Sequence, residues 1–201
     1  MRVRAPHAII YAALAATVLS PAASILAQAE ETSPCFSGGG TVKEVLDSCA
    51  AFIASGSTDT AMLIKAHSIR AMALSATGDL DAALVEMDAA VKIDPSKPNP
   101  HFMRAAGYHA KKDYDKAMAD LNEAIKLDAK HGDYYLLRGI VYRDKGDLER
   151  ALGDFNEKIK LDPDASAGYS RRGALYRERK DYDLAVADFD RVIEIDVEDA
   201  K

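Results

Sequence analysis

Apolar and small residues recur along this chain at spacings of three and four, as in Tyr135, Gly139 and Tyr142 and again in Leu152, Phe155 and Ile159. That spacing puts them on one face of a helix. The stretches predict amphipathic helices of about four turns, divided by short polar breaks such as Gly78-Asp79 and Gly146-Asp147. A glycine suits the left-handed end of one helix, and an aspartate after it caps the next and favours its positive N-terminus. Pro95 and Pro163 stop the helices before them. Upstream, Thr41 to Ser55 predicts another helix, with Val42, Val45, Leu46, Cys49, Phe52 and Ile53 on one face. Ser37 to Gly40 reads as a flexible loop and Glu30 to Pro34 as a disordered tail.

A longer period lies over the short one. Arg138-Gly139-Ile140-Val141-Tyr142 returns 34 positions later as Arg172-Gly173-Ala174-Leu175-Tyr176, and stepping back finds Arg104-Ala105-Ala106-Gly107-Tyr108 and Arg70-Ala71-Met72-Ala73-Leu74. The other half of the unit repeats as strictly, from Gly78-Asp79-Leu80-Asp81-Ala82-Ala83 to Lys112-Asp113-Tyr114-Asp115-Lys116-Ala117, Gly146-Asp147-Leu148-Glu149-Arg150-Ala151 and Lys180-Asp181-Tyr182-Asp183-Leu184-Ala185. Met87, Leu121, Phe155 and Phe189 each follow the last Ala by four positions. Over Ile64 to Val197 the chain therefore resembles the tetratricopeptide repeat family, a helix-turn-helix unit of this length. The resemblance implies an all-α, right-handed α-solenoid of four repeats with an N-terminal capping helix, similar to the second helix of a degenerate repeat. On this reading 30–58 hold the tail, loop and capping helix, 59–97, 98–131 and 132–165 the first three repeats, and 166–201 the fourth repeat and C-terminus. The small residues Ala71, Ala105, Gly139 and Gly173, and Ala83, Ala117, Ala151 and Ala185 opposite them, let paired helices approach closely.

The N-terminus has a different pattern. Met1 to His7 holds Arg2 and Arg4 and no acid, Ala8 to Ala29 carries no charge, and Ala27-Gln28-Ala29 precedes Glu30-Glu31. A basic start, an apolar middle and a small-x-small site predict a signal peptide over 1–29, cut after Ala29, and a periplasmic or secreted chain with no membrane insertion after cleavage. The two cysteines, Cys35 and Cys49, both lie beyond that site. In an oxidising compartment they are expected to form a disulfide.

Composition narrows the function classes. With no Trp and 7% aromatic residues, an all-β scaffold is disfavoured. Once Arg2 and Arg4 are set aside, 24 of the 26 Lys and Arg face 32 Asp and Glu. That acidic, interleaved balance gives no footprint for nucleic acid. No phosphate-binding glycine loop or nucleophile elbow occurs, so the chain is expected to be no enzyme and to need no cofactor. His67 and His101 occupy the places of Tyr135 and Tyr169 and read as packing substitutes rather than metal ligands. Arg70, Arg104, Arg138 and Arg172 each have an acid in their own second helix, Glu86, Asp120, Asp154 and Asp188. These are expected to form exposed salt bridges between repeats, each worth roughly 0.2–1 kcal/mol.

The resemblance implies a concave surface lined by first helices. Here that surface carries Ile69, Met72, Phe102, Met103, Leu136, Leu137 and Ile140, followed by Arg143, Arg171 and Arg177. The Asn with which some members grip a terminal carboxylate is missing from the matching place. An apolar groove with a basic end, binding an extended or helical peptide of a protein partner, is the expected function. The alternative is a structural subunit of an envelope complex or homo-oligomer that uses its ends and convex face. The last helix, expected over about 181–195, leaves Ala185, Phe189 and Val192 without a successor to cover them, and self-association or partner binding is expected there.

Overall fold

A computed structural model describes residues 33–199. Ten helices, and no strand, occur among the described residues: α1 (Pro34–Ser37), α2 (Val42–Ala54), α3 (Thr60–Ala76), α4 (Leu80–Ile93), α5 (Pro98–Ala110), α6 (Tyr114–Leu127), α7 (Gly132–Asp144), α8 (Leu148–Leu161), α9 (Ser166–Glu178) and α10 (Tyr182–Asp199). The expected signal segment and the start of the tail lie outside the described residues. No helix among those described is long and apolar enough to cross a membrane.

The helices pair as α3/α4, α5/α6, α7/α8 and α9/α10, and each pair stacks on the next to make an all-α solenoid. The turns inside the pairs follow from the chain's local chemistry. Asp79, Asp113 and Asp147 accept the backbone N–H of Ala82, Lys116 and Arg150, capping the second helices. One residue earlier the backbone is left-handed, with φ of 85° at Gly78 and 83° at Gly146. In the other two pairs Lys112 and Lys180 take the same conformation, at φ 60° and 67°. Packing of the pair therefore holds two lysines where glycine is preferred.

The core runs down the stack as successive small clusters. Ala71, Ala83, Met87 and Ala90 fill the first pair, Ala105, Ala117, Leu121 and Val141 the second and its junction with α7, and Ala151, Phe155 and Leu175 the third and its junction with α9. Val141 and Leu175, each from the following first helix, plug the junctions and are completely buried.

At the N-terminal end α2 stands where a second helix would precede α3. Cys49, 34 positions before Ala83, takes the place of the small residue in the later second helices and is buried. Its sulfur is bonded to Cys35, with the two Cα atoms 4.9 Å apart. Cys35 belongs to α1, so the expected loop and tail need correcting: Pro34 starts a helical turn, Ser37 ends it, and only Gly38 to Gly40 remain as a link. The disulfide and the edge-to-face pair Phe36–Phe52, centroids 5.0 Å apart, hold that turn on α2.

The last helix also differs from expectation, running to Asp199 rather than about Ile195. Val197 occupies the place of Pro95 and Pro163, so nothing blocks continued helical hydrogen bonding.

Candidate functional site

Three of the four first helices, α5, α7 and α9, are each clamped between two second helices by an arginine. Arg104 donates from Nε and Nη2 to the two carboxylate oxygens of Asp120, both at 2.7 Å, and from Nη1 to Asp88 of the preceding pair at 2.6 Å. Arg138 and Arg172 do the same with Asp154 and Asp188, while their Nη1 atoms reach Asn122 and Asn156 at 2.9 and 2.7 Å. Arg70 meets Glu86 at 2.8 Å. The expectation of exposed bridges between repeats is overturned. The repeated acids bond within their own pair and are buried, with Asp120 and Asp154 each 6% exposed, and the contact between pairs goes to Asp88, Asn122 and Asn156. Hydrogen bonds donated to Asp120, Asp154 and Asp188 raise the pKa of Arg104, Arg138 and Arg172 against the opposing effect of burial. These arginines are engaged in the frame and are not available to an anionic ligand. His67 and His101 extend the same frame: Nδ1 of His67 is 2.8 Å from Glu86, and His101 is buried with Nδ1 3.3 Å from Asp120 and Nε2 3.0 Å from the Pro95 carbonyl.

A cavity of about 400 Å³ opens where α3, α4 and α5 meet. Met72, Leu84, Met87, Phe102, Met103 and Gly107 line it. Its cause is a single position of the period. Gly107 precedes Val141 and Leu175 by one and two repeats, and those two side chains plug the equivalent junctions. Glycine leaves this junction open. Leu84 leans into part of the gap, its Cδ2 coming within 2.9 Å of where a Gly107 Cβ would stand. The neighbouring positions are small as well, with Ala106 and Ala110 in the places of Ile140 and Asp144.

The structure divides the candidate groove residues. Met72, 54% exposed, comes together with the half-buried Phe102 and Met103 around the cavity. Phe102 also packs on Tyr134, ring centroids 5.1 Å apart, and on the second cluster, so it is a core residue as much as a surface one. Ile69 packs against Cys35, Cys49 and Ala66 at the N-terminal end. Leu137 joins the Leu121–Val141 cluster, while Leu136 and Ile140 join the Phe155–Leu175 cluster.

Of the basic residues, Arg143 donates to Asp144 at 2.8 Å, and His109 Nε2 lies 2.8 Å from the same carboxylate. Burial pushes the Asp144 carboxyl up, but the bonds from His109 and Arg143 outweigh it and hold the group below the usual range. Arg171 and Arg177 on α9 are exposed and make no ion pair among the described residues. In α10, Ala185 is buried, and Phe189 and Val192 are half-buried. Phe189 sits against α9 at Gly173. The exposed apolar side chains of that helix are instead Tyr182, Leu184, Val186, Ile193 and Val197.

Gly107, Leu84 and Met87 are not among the groove residues expected from the sequence, where Met87 stands only as the large residue of its repeat. Their signal was legible there as a glycine interrupting the series Val141, Leu175.

Sequence profiles of the tetratricopeptide repeat match residues 64–97, 102–166 and 166–199. Among solved structures, the chain is similar to MamA from residue 41 to its end, from Desulfovibrio magneticus, at 19% identity and a TM-score of 0.71, covering 87% of this chain and 95% of that one. It is similar to TTC0263, a thermophilic TPR protein in Thermus thermophilus, at 18% identity and a TM-score of 0.64, covering 76% and 82%. It also resembles a chain of the APC/C hetero-tetramer Cut9-Hcn1, at 16% identity and a TM-score of 0.67, covering 77% of this chain and 30% of that one. At such identities the likeness speaks for the fold. No curated protein matches the sequence.

Proposed function

The chain belongs to the tetratricopeptide repeat family, and on that premise we propose that it is a non-enzymatic interaction module whose cavity at Gly107 receives one apolar side chain of a partner peptide. The observation that carries this reading is the missing plug: the junction that Val141 and Leu175 fill in later pairs stays open at Gly107, with three methionines and Phe102 around it. A cavity of about 400 Å³ lies within the range of small-ligand pockets, and methionines adapt to an incoming side chain at little cost. Arg171 and Arg177, exposed farther along the first-helix face, supply the basic end that draws acidic groups of the same peptide. Export to the periplasm or medium accompanies this reading. It is supported by the basic and apolar start of the chain and by the buried Cys35–Cys49 bond, which suits an oxidising compartment.

Random peptides selected on the full chain, then measured by fluorescence polarisation, test the proposal. Gly107→Val rebuilds the plug of the later junctions. It is expected to keep helicity and melting temperature while weakening the selected peptides at least tenfold, and unchanged affinity would remove the cavity from the account. Phe102→Glu is a poorer probe, because Phe102 also packs on Tyr134.

A second reading, a structural subunit that assembles through its ends, is favoured by the exposed apolar residues of α10, among them Val186 at 58% and Ile193 at 61%. A stable oligomer of the full chain by sedimentation supports it. A monomer that still binds the selected peptides supports the first.

A further inference from the structure

The joints between pairs follow one rule, and α10 presents the acceptor half of it with no donor helix among the described residues. At each joint the following first helix brings two polar anchors to the preceding second helix, and at the last two joints an aliphatic side chain between them. Its arginine reaches the 88, 122 or 156 position, as in Arg104–Asp88 at 2.6 Å and Arg172–Asn156 at 2.7 Å. A second cation, seven residues after the arginine, reaches the 81, 115 or 149 position: Lys111 bonds Asp81, Lys145 bonds Asp115, and Arg179 bonds Glu149 at 2.7 Å. Between the two cations, three residues after the arginine, Val141 or Leu175 packs beside Met118 or Leu152 of the second helix.

Continued by one period, the acceptor positions on α10 are Asp190, Asp183 and Val186. Both aspartates are exposed and neither makes an ion pair among the described residues. Val186 is 58% exposed, where its counterparts Met118 and Leu152 are half-buried. Ile193, 61% exposed, follows Ile159, which α9 covers so closely that a Cβ on Gly168 would lie 2.8 Å from its Cγ1. Arg191 is the one basic residue of α10 and bonds Glu194. The face is thus apolar along its middle and acidic at two places set by the period.

We propose that the outer face of α10 docks an amphipathic helix of another protein that carries an arginine, an aliphatic residue three positions later and a second cation seven positions later. Its arginine bonds Asp190, its later cation bonds Asp183, and its aliphatic residue covers Val186. A second copy of this chain does not offer such a helix. The two helices that carry the whole pattern, α7 and α9, are each already seated on the second helix before them, as is α5, which has Gly107 in the aliphatic place.

A synthetic peptide of residues 166–180 carries the required pattern in Arg172, Leu175 and Arg179 and serves as the probe, labelled and titrated into the full chain. Saturable binding that weakens about tenfold with Asp183→Asn plus Asp190→Asn, and that is lost with Ile193→Lys, is the expected result. Binding should also fall with added salt and with an Arg172→Glu peptide. Circular dichroism of each protein variant establishes that it is folded before it is scored. No binding, or binding indifferent to all three protein substitutions, overturns the proposal. So does a chain that sediments as a dimer broken by Ile193→Lys, because a second copy then covers the face. Gly107→Val should leave this binding unchanged, which separates it from the peptide cavity.

Discussion

Gly139 is the residue that makes room for Phe155: a Cβ added there would stand 2.7 Å from Phe155 Cε1 and 3.2 Å from the Ala151 carbonyl oxygen. The same crossing in the second pair joins Ala105 to Leu121, and in the first Ala71 to Met87. Size on one helix is exchanged for size on the other. Gly139→Ala gains about 1 kcal/mol of helix propensity but forces the ring and a backbone carbonyl apart, at about 1–3 kcal/mol. The variant is expected to be less stable than the wild type by urea unfolding. Adding Phe155→Leu reproduces the Ala105–Leu121 pairing and should recover much of the loss in a double-mutant cycle. Additive effects would mean that the two residues are not coupled.

The Cys35–Cys49 bond closes a loop of 14 residues' separation, and loops of that size carry about 3 kcal/mol of constraint on the unfolded chain. Thiol titration of unreduced, denatured protein should find no free sulfhydryl. Reduction is expected to lower the melting temperature and to release α1 first, read as faster hydrogen exchange at Phe36 and Ser37 than at α4. Equal protection before and after reduction would show that α1 packs without the bond.

Lys158 gives the pH dependence a defined sign. It stands in the place of Ala90 and Ala124 and is buried, donating to Asp133 and Asp162, both at 2.7 Å. Gly132 and Gly168 leave space for its stem. Burial lowers its pKa, but the bonds it donates to Asp133 and Asp162 outweigh this and the net direction is up from 10.5. A raised pKa stabilises the fold at pH values below the ordinary lysine value and loses that contribution as pH climbs through the raised one. Lys158→Met is therefore expected to cost about 1–2 kcal/mol at neutral pH, the partners being half-exposed. The difference from wild type should hold constant up to about pH 10 and narrow above it. A gap that widens with alkalinity would contradict the ion pair.

The helical pairs were legible because the small and large residues of their contact recur every 34 positions, so Gly139 and Phe155 each have three internal counterparts. The cysteine pairing was legible from a count of two. A four-residue turn such as α1 is too short to show a helical period, and no pattern of its residues sets it apart from loop and tail. The groove was harder, because successive residues on a helix turn by about 100° and a stripe of apolar letters covers both the open face and the joint. Met72 and Met103 fell on the cavity, while Leu136, Leu137 and Ile140 fell into joints. The same rotation separates Phe189, packed on α9 at Gly173, and the half-buried Val192 from the exposed Val186 and Ile193. The arginines showed their acids at plus sixteen, but the partners at minus sixteen, Asp88, Asn122 and Asn156, emerge only once the pairs are stacked.

The cavity at Gly107 as a peptide anchor site is tested most directly by methionine methyl NMR. Met72, Met87 and Met103 line it, and Met118 packs in the next cluster away from it. On titrating a selected peptide into methyl-labelled full chain, the three lining methyls should shift together with one binding curve while Met118 stays in place, and Gly107→Val should abolish the shifts. Shifts at Met118 without the other three, or a peptide that binds with all four unmoved, would contradict the account.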